Sequence, residues 1–158
     1  MNGGGTQLSD VSVQFRTPSG VVAALTEVTI EFAPASSTAI VGRSGSGKST
    51  LVSVLALLRR PTSGTVRVGA EDTSVLGDDQ LSRLRGRLVG TVFQSFHLDP
   101  AFSAADNVLL PWHFGAAVVV VTHDTAIAAQ ADRLVRISQG RIHDDDACGG
   151  PGTSETAA

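Results

Sequence analysis

Gly42-Arg-Ser-Gly-Ser-Gly-Lys-Ser-Thr50 is the stretch whose reading decides the fold. Gly42, Gly47, Lys48 and Ser49 fill the pattern G-x-x-x-x-G-K-[ST], and Gly45 adds a further glycine. Lys48 is the only lysine of the chain, and the other eleven basic residues are arginines. A compact ammonium fits between neighbouring phosphates, where a planar guanidinium needs more room. The flanks agree with this reading. Thr38–Val41 is a short apolar run of the kind that forms a buried parallel strand. After the loop, Leu51, Val54, Leu55 and Leu58 recur on one face of a helix. Arg59 and Arg60 suit the negative end of that helix, and Pro61 stops it. Strand, glycine loop and helix in this order aim several backbone N–H groups at one anion.

A chain of 158 residues with 42% hydrophobic content forms one domain, burying roughly 70% of its unfolded surface. Its net charge is −3 and its isoelectric point about 5.7. No dense basic patch is present, which argues against nucleic acid as a partner, and Arg83, Arg85 and Arg87 read as a solvated stretch. Cys148 is the single cysteine, so there is no disulfide framework and a reducing compartment is expected. The first ten residues lack the basic and apolar regions of a secretory signal. No stretch approaches the roughly 18 apolar residues of a membrane span, so a membrane role would run through a partner.

Val11, Val13 and Phe15 alternate with polar residues and predict a strand; Val21–Phe32 predicts a second. Pro61-Thr-Ser-Gly64 is a turn followed by a short strand over Thr65–Val68. Asp78 or Asp79 caps a helix carrying Leu81 and Leu84. Leu88–Phe93 reads as a buried strand ending at Gln94, and residues 103–110 as a helix broken by Pro111. The four valines at 118–121 have the composition of a central parallel strand, buried on both faces. Asp124 or Thr125 starts a helix through Ala131, and Leu134–Ile142 folds back as a hairpin around Gln139-Gly140. The alternation of strands and helices predicts an α/β domain with a mainly parallel sheet, helices on both faces and antiparallel strands at its N-terminal side. The domain is expected over 7–144, with 145–158 a disordered tail.

Several fragments, in order, resemble the ATP-binding subunit of an ABC transporter. GRSGSGKST resembles that family's Walker A loop, VGTVFQSFHL its Q-loop, VVVVTHD its switch-histidine segment and ADRLVRISQGRI its closing hairpin. FQSFHL and NVLLP look most like the lipoprotein-releasing and macrolide-export branch. The resemblance implies a P-loop NTPase fold and the binding of Mg-ATP. It implies work as a dimer that energises a membrane permease, with a cytoplasmic location against the inner face of the membrane. It places the phosphates on Gly42, Ser44, Gly45, Ser46, Gly47, Lys48, Ser49 and Thr50, and Mg²⁺ on Ser49 and Gln94. It puts the switch role on His123 and an adenine-stacking role on Phe15, although alternation with Val11 and Val13 equally makes Phe15 a core residue.

The pattern is interrupted near Gly115-Ala116. NVLLPWHFG runs directly into AAVVVVTHD, with no signature loop of the LSGGQ type and no Walker B strand ending in Asp-Glu. The fold implied is therefore a truncated ABC ATPase core, and hydrolysis by this chain alone is not expected. Asp124 follows the four valines but is read as a helix cap; Asp99 is a turn residue and Asp106 a solvated helical one. His97, His113 and His143 share no ligand spacing, Ser95 shows no nucleophile arrangement, and Trp112 reads as packing. Without a Walker B strand, strand 88–93 either pairs directly with strand 117–121 or leaves a valine-rich edge open. Two other functions fit parts of the sequence. One is a non-catalytic, permease-interacting remnant. The other is a different P-loop enzyme such as a small-molecule kinase or GTPase, for which no N-K-x-D base-reading motif is present.

Overall fold

Two four-stranded sheets share one core in the computed structural model, which describes residues 5–88, 117–123 and 125–147. The first is antiparallel and built from β1 (Thr6–Thr17), β2 (Gly20–Phe32), β4 (Ser63–Val68) and β5 (Glu71–Asp72), in the order β2-β1-β4-β5. The second carries β3 (Ser37–Val41), β6 (Val118–Val121), β7 (Arg133–Ser138) and β8 (Arg141–Ala147), in the order β6-β3-β7-β8. Its strands β6, β3 and β7 are parallel, and β8 returns antiparallel on β7.

Alternation explains the first sheet. Leu8, Val11 and Val13 of β1 are buried, as are Leu25, Val28, Ile30 and Phe32 of β2, while the residues between them face outward. Two irregularities keep that phase. Asp10 and Glu27 adopt left-handed backbones (φ 50° and 51°), and the register slips between Leu8 and Val13. The Asp10 N–H donates to Thr29 Oγ1 and the Glu27 N–H to Ser12 Oγ, so the groups freed from the ladder regain partners.

Residues of β3 point to opposite sides, which is how the second sheet comes to be covered on both faces. Ile40 joins the main core with Leu51 and Val54 of α1 (Lys48–Leu55), Leu84 of α2 (Asp78–Leu88) and Val135 and Ile137 of β7. Ala39 packs on the other side with Ala128 of α3 (Thr125–Ala128) and Ala131. Small residues on that side let a short helix lie close to the sheet.

The elements differ from expectation at four places. Helix α1 ends at Leu55, not at Pro61. Leu57 turns left-handed (φ 55°), and the Leu58 and Arg59 N–H groups both donate to Ser53 O, which closes the helix early. Leu58 is consequently about half exposed (51%), and Arg59 and Arg60 lie beyond the helix instead of in its last turn. Leu88 belongs to α2 and does not begin a strand. Strand β8 continues through Asp144, Asp145 and Asp146 to Ala147, past the expected boundary at 144, because each of these residues pairs with β7. Finally, β6 is not a central strand among the described residues. It pairs with β3 alone, Val118–Val120 are half-buried and Val121 is 39% exposed. A partner for its free edge from strand 88–93, and the helix expected over 103–110, fall outside the described residues.

One long-range clamp fixes where β3 begins. The Asp132 carboxylate accepts hydrogen bonds from the Ser37 N–H (2.8 Å) and Ser37 Oγ (2.7 Å), and the Asp132 N–H donates to Ser37 Oγ. The two hydrogen bonds from Ser37 hold the Asp132 carboxyl below its ordinary value of 3.8. A group whose native pKa is depressed stabilises the fold above its unfolded value, and that contribution is lost as pH falls through the native one. Ser37→Ala is therefore expected to lower stability by about 1 kcal/mol at neutral pH. The difference from wild type should shrink as pH falls below 3.8. Urea unfolding of both proteins at pH 7 and in acid measures it; a difference that is independent of pH would refute the clamp.

Candidate nucleotide-binding site

The chain leaves the C-terminal end of β3 at Val41 and passes through residues 42–47 into α1 at Lys48. Glycine is demanded at two points of this passage. A Cβ on Gly42 would collide with Ile137 O and stand 2.7 Å from Ser46 Oγ. Gly47 has φ 107°, and a Cβ there would stand 2.6 Å from Ala24 O and 3.1 Å from Leu25 Cδ2. The loop is thus pressed between β2 on one side and β7 on the other. Hydrogen bonds hold it there: the Gly140 N–H in the β7–β8 turn donates to Ser46 O (2.9 Å), and the Thr26 N–H donates to Gly140 O (2.9 Å).

Helix α1 opens without a side-chain cap, because its N-cap residue is Gly47. The first N–H groups of a helix have no partner inside it, so this end carries unpaired donors and the positive end of the dipole. Lys48 adds a full charge at the same place. Its Nζ donates to Gly42 O and Arg43 O (2.7 Å each) and lies 3.5 Å from Ser46 Oγ, so the ammonium is folded back across the mouth of the loop. Ser46 is buried, Lys48 and Thr50 are half-buried, and Ser44, Gly45 and Ser49 are exposed. An anion entering the loop meets backbone N–H groups, one ammonium and an exposed hydroxyl on Ser49.

Parallel pairing brings a second element to this edge. Ile40 of β3 lies beside Val121 of β6, and the Thr122 N–H donates to Ile40 O (3.3 Å), so His123 emerges at the same C-terminal edge as Gly42. His123 is exposed. Ligands of α/β sheets gather at this edge. Phe15 sits on the other sheet. It is half-buried against the core, opposite Val22 in β2, and two residues along β1 from Val13, whose partner Leu25 has its Cδ2 3.1 Å from where a Cβ on Gly47 would stand. Gln94 falls outside the described residues, as do Asp99, Asp106, Asp124, Ser95, His97, His113, Trp112 and Cys148.

Sequence reading did not anticipate the part played by Ala24, Leu25 and Gly140 in gripping the loop. These contacts cross the chain, and no local pattern announces them. It also missed Arg59, whose guanidinium stands 4.4 Å from the centroid of the Phe15 ring. Arg60, one residue on, is used differently: it donates to Leu76 O (2.7 Å), Thr73 O (3.4 Å) and Asp78 Oδ1 (3.0 Å), fastening α1 to the 3-10 turn Thr73–Val75 and to α2. A cavity of about 180 Å³ opens between these pieces, lined by Arg59, Arg60, Thr62 and Thr73 among others. It lies at the C-terminal end of α1, away from the phosphate loop.

The ABC transporter family pattern matches residues 25–147, which is most of the chain. The chain belongs to the ABC transporter family. It is 57% identical over 74 residues to the lipoprotein-releasing system ATP-binding protein LolD of Anaeromyxobacter dehalogenans, a match over 47% of this chain and 31% of that protein. It is 45% identical over 111 residues to the macrolide export ATP-binding/permease protein MacB of Chromobacterium violaceum, over 70% of this chain and 17% of that protein. The chain thus spans about a third or less of the length of these ABC relatives. In structure it is similar to the ATP-binding cassette MJ0796, solved as a dimer in a post-hydrolysis state with ADP and Pi. The TM-score is 0.77 at 22% identity, covering 92% of this chain and 99% of that one. The ABC cassette fold is therefore shown. Among the described residues, no helix is long and apolar enough to cross a membrane, and no group of three or more metal-ligating side chains occurs.

Proposed function

We propose that this chain binds Mg-ATP in the loop 42–50 and serves as the ATP-binding part of a transport system of the lipoprotein-releasing and macrolide-export kind. The observation that carries the proposal is the meeting of Lys48 with the uncapped, glycine-led start of α1. Backbone N–H groups from about Ser44 to Thr50 wrap the phosphates, and Lys48 exchanges its bonds to Gly42 O and Arg43 O for phosphate oxygens. The exposed hydroxyl of Ser49 fits Mg²⁺, which takes only one or two protein ligands when phosphates supply the rest. When bound, Mg²⁺ neutralises charge on the phosphates. Gln94 offers a carbonyl oxygen to the metal or to water, His123 contacts the terminal phosphate, and Phe15 faces the adenine. A permease subunit is the partner, and the chain works beside it at the inner face of the membrane.

Turnover is a separate matter. Hydrolysis requires a water held and deprotonated by a base and a carboxylate behind the metal. The sequence between Gln94 and His123 has neither an Asp-Glu pair after an apolar strand nor an LSGGQ-type loop to cover a partner's nucleotide. Saturable binding of a fluorescent ATP analogue in the presence of Mg²⁺ is expected, with phosphate release at background. No saturable signal would sink the proposal. Phosphate release that disappears in Lys48→Ala would show that the remaining groups suffice for catalysis.

A further inference from the structure

Gly140, in the turn between β7 and β8, commits both of its polar backbone atoms to other parts of the chain. Its N–H donates to Ser46 O in the phosphate loop (2.9 Å), and its carbonyl accepts from the Thr26 N–H of β2 (2.9 Å). At φ 73°, with a Cβ on it set to stand 2.6 Å from Ala24 O, only glycine brings the turn this close to β2. The next residue adds an ion pair, with Arg141 Nη1 3.2 Å from Glu27 Oε2. Glu27 is itself fixed by backbone, since its φ is 51° and its N–H donates to Ser12 Oγ. Three segments far apart in the chain, at 24–27, 46–47 and 140–141, thus meet at one point.

That meeting sets the direction of one peptide. A trans peptide is planar, and its C=O and N–H point opposite ways. Ser46 O and the Gly47 N–H belong to the same peptide. With Ser46 O held by Gly140, the Gly47 N–H is turned away from the β7–β8 turn. It has no hydrogen-bond partner among the described residues, and it stands beside Lys48 at the start of α1.

We propose that Gly140 is a positioning residue for the phosphate-binding loop, and that the Glu27–Arg141 pair is the brace that keeps its turn in place. The turn sets the 46–47 peptide with its N–H available before an anion arrives, so binding does not have to reorient it. This rests on the nucleotide-binding reading above and adds the turn and its ion pair to it. The coupling runs both ways: a turn that favours the anion is itself tightened when the anion binds. Both side chains of the pair are more than half exposed, so the brace contributes a few-fold in affinity and not orders of magnitude.

The test is calorimetric titration with inorganic tripolyphosphate of wild type, Glu27→Arg, Arg141→Glu and the double exchange of the two, together with amide hydrogen exchange of wild type by NMR. Each single reversal is expected to weaken binding about two- to fivefold, although the two change the net charge in opposite directions. The double exchange restores the pair at the wild-type net charge and should return affinity to within about twofold of wild type. Asp78→Arg, which sets like charges against Arg60 beyond the other end of α1, should not weaken binding. In wild type, exchange of the Gly140 amide should slow about threefold or more on saturation with tripolyphosphate, a response that a merely structural turn lacks. Single reversals that move affinity in opposite directions would overturn the inference, because net charge alone would then be at work. A double exchange that rescues nothing, or a Gly140 amide indifferent to the anion, would overturn it as well. If the single variants do not fold, the exchange measurement on wild type decides alone. If wild type binds neither tripolyphosphate nor Mg-ATP, the nucleotide reading fails and this inference with it; if it binds both and the pair shows no coupling, this inference alone falls.

Discussion

Lys48→Ala is expected to weaken Mg-ATP binding on the order of a hundredfold or more while leaving the protein folded. The size follows from removing a full positive charge held at the mouth of the loop. The ammonium is half-buried, next to unpaired helix donors, and its partners in the ligand-free protein are two loop carbonyls. Those carbonyls sit where water replaces the lost hydrogen bonds, so stability should change by no more than about 1 kcal/mol. The pairing of a large binding loss with a small stability loss separates a ligand-binding lysine from a structural one. Lys48→Arg should not restore binding, because a guanidinium cannot occupy the space between Gly42, Arg43 and Ser46 in the same way. Calorimetric titration with Mg-ATP alongside thermal denaturation decides it. Retained affinity, or unfolding in step with lost affinity, would refute the assignment.

Gly47→Ala is expected to damage the fold severely for a single added methyl group. At φ 107° an L-residue is strained before any contact is counted, and the new Cβ stands 2.6 Å from Ala24 O and 3.3 Å from Gly140 Cα. Both neighbours are backbone, each fixed by a ladder or a hydrogen bond, and neither can rotate away. A loss of about 3 kcal/mol is expected, lowering Tm by roughly 6–12 °C in a domain of this size. Gly45→Ala supplies the contrast. Gly45 is also left-handed (φ 73°), but nothing lies within 4 Å of a Cβ placed there. Its cost is backbone strain alone, about 1–2 kcal/mol. If the two substitutions cost the same, the close approach of β2 to the loop plays no part. Thermal denaturation of both variants gives the answer.

The difference between these glycines shows how far the sequence could be read. G-x-x-x-x-G-K-[ST] told that the loop needs glycines, because the spacing reflects a backbone requirement repeated wherever phosphates are cradled. It could not tell that Gly47 is fixed by Ala24 and Leu25, which belong to the other sheet. The hairpin β7–β8 was legible from Gln139-Gly140 between two apolar runs, since turn chemistry is local. The end of α1 was not. Pro61 is a strong local stop signal, yet the helix closes at Leu55 because Leu57 and Arg60 are drawn to Val54, Thr73 and Leu76. For β6, four valines read as a strand buried on both faces, and the strand does form. Its number of neighbours depends on which other strands reach it, and four identical residues carry no information about that.

Taken alone, the sequence determined the phosphate loop, its single lysine, the strand and helix on either side of it, the family resemblance and the break near Gly115-Ala116. These are properties of spacing and residue type, and spacing is all that short-range backbone chemistry needs. Only the tertiary structure decided that His123 and Gly42 share one sheet edge, that Asp132 anchors Ser37, that the acidic run Asp144–Asp146 pairs as a strand, and that Arg59 covers Phe15. Each of these joins segments far apart in the chain, and such contacts arise from the shared core that closes the loops between them. Local propensity has no knowledge of that core, and the residues it brings together are the ones on which the shape of the site depends.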